Sequence, residues 1–484
     1  MMRSLYSGVT GLKASQTKMD VIGNNIANVN TIGFKASSVT FSDVLYQTTQ
    51  SASGPNPTTG TTGTNAMQIG LGSGVASITT SMTTSGAAER TDNPFDVMIE
   101  GDSFFIVNSG GTNYFTKAGS FNVASQGTLC TSAGASVMGW QVDENDATKT
   151  AAGLVSPLVI TSPENMYSKP EATSSVYISG NIDSKDTQLT SVSGKIVNIS
   201  FYDNIGNSYI ADLKITQSTE ANNIYNVAVT DIKDDDGQSI FITKSIDEAT
   251  GNPVYAGSSI TEFTFGGVTY SVSDISETDG TFTIDTADSP KITFNGATGA
   301  FVSVGDSSST DTGNKSISLV VNATPNPFSE IDVDFSSITM YSASGSSSLE
   351  ATKGSLEGTG TGKQVGFMTG VNIDTSGKIY GKYDNGDSKL LGQIAVASFT
   401  NPAGLESVGN SMFAATQNSG EFDGIGQDPT QGGGSLSTGV LEMSNVDLAQ
   451  QFTEMITTQR GFQANSRILS TCDTMLEELI NLKR

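Results

Sequence analysis

The chain has 484 residues and a formal net charge of −25, from 49 acidic and 24 basic side chains, with no His, two Cys and one Trp. Without His it lacks the commonest general base and the commonest metal ligand. Cys130 and Cys472 stand alone, which argues against a zinc site or a disulfide framework and leaves two free thiols, Cys472 half-buried on a helix.

The N-terminus repeats Leu5, Leu12, Met19 and Ile26 every seven residues, supported by Val9, Ile22 and Val29. Such a repeat gives a helix a narrow apolar seam suited to coiled-coil packing. Gly8, Gly11 and Gly23 weaken this helix. Residues 1–30 are expected to form one half of a helical core domain. Asn28, Asn30 and Gly33 end the helix and Phe34 restarts an extended segment. Residues 31–91 read as an extended Thr/Gly-rich linker with Pro55 and Pro57, which Ile69, Leu71, Val75 and Ile78 could dock as strands.

From Phe95 onward short strands alternate with turn signals, as in Phe95–Ile99 and Phe104–Val107 around Gly101-Asp102-Ser103. Ile196–Tyr202 and Tyr209–Ile215 bracket a hairpin turn at residues 203–207. Strands at this spacing predict β-sandwich or barrel domains. An inner β domain is expected from 92–162 and 328–440, with 163–327 inserted as an outer β domain. Asp234-Asp235-Asp236-Gly237 reads as a turn, because a calcium loop needs spaced ligands and a closing Glu. No catalytic, cofactor-binding or metal-binding residues are expected, and a secreted adhesin or enzyme is the weaker reading.

Residues 441–484 repeat the helical pattern with Leu448, Met455, Phe462, Leu469 and Leu476, and Phe452 and Ile480 beside them. Gln459, Ser466 and Asp473 are expected to interrupt the second seam position, and Gly461 weakens the helix. The two ends are therefore expected to meet. They form either an ordinary helical hairpin or helices that become ordered only when many copies pack together. The fold class is mixed and mainly β: terminal helices form a coiled-coil core, with nested β domains between them. Residues 1–90 and 441–484 together carry nine basic and nine acidic side chains, so the whole −25 falls on 91–440. That distribution disfavours nucleic acid and anionic membranes and suits neutral ends that assemble beneath a solvated acidic body. No stretch reaches the roughly 20 apolar residues of a membrane span. Arg3 leads into an amphipathic pattern and not an apolar h-region, so no cleaved signal peptide is expected.

The run Asp20-Val21-Ile22-Gly23-Asn24-Asn25-Ile26-Ala27-Asn28, followed by Thr31-Ile32-Gly33-Phe34-Lys35, resembles the N-terminal signature of bacterial flagellar rod and hook proteins. Leu441-Glu442-Met443-Ser444-Asn445-Val446-Asp447-Leu448, with Met455-Ile456, Gln459-Arg460 and Asn465, resembles their C-terminal signature. Interior stretches agree in order: Ser103–Val107, Gly119-Ser120-Phe121, Gly127-Thr128-Leu129, Gly377–Gly381, Tyr383–Gly386, Leu391–Ala395, Phe399-Thr400-Asn401 and Gly404-Leu405. Lys117 stands where relatives often carry Arg, and Asp384 where Ser is common.

The resemblance implies a subunit of a tubular helical polymer, with the terminal helices lining a central channel and the β domains outward. Within the family the extra β sequence of 163–327 fits the hook plan, whose polymer is a flexible universal joint passing torque from rod to filament. The alternative is a distal rod subunit, since Val44-Leu45-Tyr46-Gln47 and Gln68-Ile69-Gly70 look as much like rod sequence. The implied partners are copies of itself, the distal rod protein, the hook cap, the hook–filament junction protein and the flagellar type III export apparatus. Neither nucleic acid nor membrane insertion is implied, and the implied location is the extracellular part of the flagellum.

Overall fold

A computed structural model describes residues 2–55, 60, 62–143, 150, 153–246, 252–285, 288–305, 313–431 and 434–482. Pro57 of the expected linker lies outside these residues. The chain divides into two compact units. One comprises 1–166, 369–382 and 388–484, the other 167–368 and 383–387. The architecture is mainly β, with helices α1 (Met2–Ala27), α2 (Thr187–Thr190) and α3 (Leu448–Asn481).

The first unit carries both long helices. Its sheet joins neighbouring and distant segments: strand Phe104–Ser109 pairs with Thr112–Thr116 through Phe105↔Thr116, and Ser136–Gln141 pairs with Ser388–Ile394 through Trp140↔Gln393. Phe104, Ile106, Phe115, Met138, Trp140, Leu405 and Phe413 form a core. The Phe115 ring meets Phe399 and Phe422 edge-on, a favoured aromatic geometry. Phe105 and Val107, on the opposite face of their strand, are buried as well, so this run is apolar throughout because the strand is covered on both sides.

Inside the expected linker, residues 37–50 and 67–80 form two nested antiparallel strand pairs. Strand Ser37–Asp43 pairs with Ser73–Thr80, and Tyr46–Gln50 with Met67–Gly70. Their composition hid them, because Thr and Ser here pair across the strands. Ser38 and Thr79 hydroxyls lie 3.2 Å apart and those of Thr40 and Ser77 2.7 Å apart, contacts that stabilise antiparallel ribbons.

The second unit has one core containing Phe201, Tyr225, Phe241, Phe263, Phe265, Phe294 and Phe335. The expected hairpin is present as Lys195–Tyr202 paired with Ser208–Gln217. Its turn is tied by Asp203 Oδ1, which accepts the N–H groups of Ile205, Gly206 and Asn207. Strand Ile331–Thr339 runs parallel to Ser175–Asn181, which also pairs with Ser348–Lys353. The second half of this unit therefore reaches residue 368, whereas the sequence reading placed 328 onward in the inner domain. Alternation explains the difference: Ile331, Val333 and Phe335 bury themselves in the second unit's core, which draws their strand into it.

Candidate assembly surface

α1 and α3 pack antiparallel. Gly8 and Gly11 of α1 face Leu469 and Asn465 of α3, while farther along Lys18 forms a 3.2 Å ion pair with Glu454 and Asn25 Nδ2 donates to Gln451 Oε1 at 3.2 Å. Leu5, Leu12, Met19 and Ile26 are half-buried on α1, as are Met455, Phe462, Leu469 and Leu476 on α3. Leu448 and Phe452 are exposed.

Two sequence expectations change here. Gln459, Ser466 and Asp473 are exposed, and the alternate seam position is filled by Thr458 and Cys472, both buried, and half-buried Asn465. One residue is about 100° around a helix, so a shift of one moves a side chain from seam to solvent. Cys472 is only 4% exposed, more deeply placed than expected. A Cβ on Gly11 would lie 2.6 Å from Asn465 Nδ2, so that amide would have to turn aside, whereas one on Gly8 would meet Leu469 Cγ at an ordinary 3.4 Å. Gly23 and Gly461 have no such neighbour.

Both helices leave large apolar side chains exposed: Leu448, Phe452, Ile456, Ile468, Met475 and Leu479 on α3, and Tyr6 and Val9 on α1. Leu482, beyond the end of α3, is 80% exposed. The ribbon of residues 37–80 exposes Phe41, Val44, Leu45, Tyr46, Met67, Ile69, Val75 and Ile78, and Asp43 is the sole charged residue of 36–88. Gly72 of the ribbon rests against Thr10 of α1. Two-stranded ribbons are marginally stable alone in water.

A junction holds the helices to the β body. Lys35, just after α1, and Glu442, just before α3, form a buried ion pair at 2.7 Å, with side chains 1% and 0% exposed. Lys35 Nζ also donates to Thr84 O at 2.8 Å, and Glu442 Oε1 accepts the Gly86 N–H at 2.9 Å. Among the described residues Glu442 Oε2 is buried without a hydrogen-bond partner. Gly33 N donates to Glu442 O at 2.8 Å, and Gly33 has φ 66°, a left-handed conformation that glycine adopts without strain. Phe34 O accepts the Asn445 N–H at 3.4 Å.

Asn25 is buried and ties three elements: Nδ2 donates to Ser37 O at 2.8 Å as well as to Gln451, and Oδ1 accepts the Ser37 N–H at 3.0 Å. Asn445 Oδ1 accepts the Ala36 N–H at 2.7 Å, while its Nδ2 donates to Ser81 O and Thr84 O. The signature residues Asn25, Gly33, Phe34, Ser444, Asn445 and Val446 therefore gather at or beside the junction. Asn24 and Ala27 are exposed on α1, with Asn28 donating to Asn24 Oδ1 at 3.1 Å. Gln459 and Arg460 are exposed on α3, where Arg460 reaches Gln463 at 3.3 Å. Sequence reasoning missed the Lys35–Glu442 pair because 407 residues separate its members, and neither carries a local signal of its partner. Among the described residues no helix is long and apolar enough to cross a membrane.

The two terminal helices pair with each other and are anchored to the β strands through the buried Lys35–Glu442 pair. Residues 5–35 match the family model described as flagella basal body rod protein, 98–183 the flagellar hook protein FlgE/F/G D1 domain, and 437–482 the flagellar basal body rod FlgEFG protein C-terminal. The chain is 36% identical to the flagellar hook protein FlgE of Borreliella burgdorferi and 34% identical to that of Treponema pallidum, in each case over the whole of both chains. It is 26% identical, again over the whole of both, to the flagellar basal-body rod protein FlgG of Bacillus subtilis. The chain belongs to the flagellar hook protein family.

Proposed function

We infer that the chain is the structural subunit of the bacterial flagellar hook, a tubular helical polymer of identical copies. The observation that carries this reading is full-length identity of 34–36% to proteins named flagellar hook protein. The large apolar side chains left exposed on α1 and α3 support it, because neighbouring copies in a helical assembly can cover them for one another. On this reading Leu5, Leu12, Met19, Ile26, Leu448, Phe452, Met455, Phe462, Leu469 and Leu476 pack the inner tube. The β units lie outward, and the polymer bends while it passes torque from rod to filament. Exposed polar pairs contribute about 0–1 kcal/mol each, so acidic outer surfaces exchange neighbours at small cost while the apolar inner contacts persist.

The partners on this reading are copies of the chain, the distal rod protein, the hook cap during growth and the hook–filament junction protein. The chain leaves the cell unfolded through the flagellar type III apparatus and works as a structural element, not an enzyme. A distal-rod role is the second reading, favoured by the rod-protein relative. Electron microscopy of cells lacking the gene tests both. Complete rods without hooks support the first reading and truncated rods the second. Normal hooks and rods overturn both.

A further inference from the structure

Lys117 is 1% exposed. Its ammonium donates to Gly101 O at 2.6 Å and stands 5.0 Å from the centre of the Phe104 ring. Among the described residues it forms no ion pair. The groups that act on it come from each surrounding segment: Lys35 from the stretch after α1, Glu442 from the strand before α3, and Asp102 from the turn after Gly101. The one carboxylate buried with the two lysines, Glu442, is engaged by Lys35. The cluster therefore holds one more positive charge than its buried carboxylate neutralises, and burying such a charge is costly.

The backbone here is as tightly placed as the charge. A Cβ on Gly33 would lie 2.7 Å from Ala118 N and 2.9 Å from the Lys117 carbonyl carbon. The peptide that carries Lys117 is thus the floor on which the segment leaving α1 rests. Gly33 and Gly86, in turn, donate to the backbone and side chain of Glu442.

We propose that Lys117 is the proton-sensitive positioning residue of the helix–body junction: uncharged, it lets the contacts around Glu442 close, and charged, it loosens the attachment of both terminal helices. Burial is the main influence that lowers its amine from 10.5 to about 8. The charge of Lys35 adds to this, while Glu442 and Asp102 oppose it. Between those two pH values the unfolded chain holds a proton that the folded chain has shed, so the junction tightens as pH rises through that window and is weakest below it.

The test uses the full chain as monomer, with Lys117→Arg and Lys117→Met beside the wild type. Amide-exchange protection is measured in peptides containing Gly33 and Gly86 from pH 7 to 10, corrected for intrinsic exchange. The wild type is expected to gain roughly tenfold or more in protection across that range. Lys117→Arg keeps its charge throughout and stays at the weaker level, and Lys117→Met stays at the stronger level. A purely structural lysine would offset the curves equally at every pH. A wild-type curve parallel to the Arg curve overturns the proposal, and this comparison stands even if the Met variant does not fold. No polymer is involved, so the result is independent of the hook assignment.

Discussion

Glu442→Leu is expected to destabilise the first unit severely. The change removes the acceptor of both Lys35 Nζ and the Gly86 N–H, and it leaves an ammonium that is 1% exposed without a counter-charge. Removing one partner of a buried ion pair costs about 3–5 kcal/mol, a large fraction of the roughly 5–15 kcal/mol that holds a domain folded. With a urea slope of about 2 kcal/mol per molar, the unfolding midpoint should fall by roughly 1.5–2.5 M. Trp140 is the one tryptophan of the chain and lies in the core of this unit, so its fluorescence reads the transition without signal from the second unit.

The double change Lys35→Met with Glu442→Leu replaces the pair by apolar side chains. It should recover most of the loss, because the desolvation cost of both charges disappears. Two results would refute the reasoning: a single-variant shift under about 0.5 M, or a double variant as unstable as the sum of the singles.

Gly11→Val should separate α1 from α3, since even a Cβ there lies 2.6 Å from Asn465. In a Cys130→Ser background, thiol labelling of buried Cys472 should then accelerate at least tenfold, as expected for exposure of a protected thiol; unchanged labelling would mean that the helices stay paired. Phe462→Ala and Leu12→Ala are expected to abolish hook formation while Trp140 unfolding stays within about 0.5 kcal/mol of wild type, whereas normal hooks from both variants would remove the seam from the assembly mechanism. Asp447→Ala should cost about 1 kcal/mol of helix stability, read as faster exchange at Ala449 and Gln450, whose N–H groups Asp447 caps at 2.8 and 3.2 Å. Asp235→Ala, at an exposed turn, should leave motility and stability unchanged within about 0.5 kcal/mol.

The sequence by itself determined the two terminal helices, the β character of the middle and the hairpin around Asp203, because each depends on local periodicity and turn chemistry. It also placed Leu12, Met19, Met455, Phe462 and Leu469 on an apolar stripe, since the period of that stripe is written along one helix at a time. Only the tertiary structure decided which partners those stripes meet. The alternate seam position belongs to Thr458, Asn465 and Cys472 because the face turned toward α1 is fixed by packing, and the sequence pattern leaves a one-residue ambiguity. Gly11 faces the Asn465 amide, which a Cβ there would displace, and no propensity scale contains that neighbour. Residues 37–50 and 67–80 pair into ribbons through hydroxyl contacts that composition reads as linker. The junction was least legible of all. Lys35, Lys117 and Glu442 each look like ordinary surface charges until the fold removes them from water, and burial is a property of the whole chain's packing that no single segment encodes.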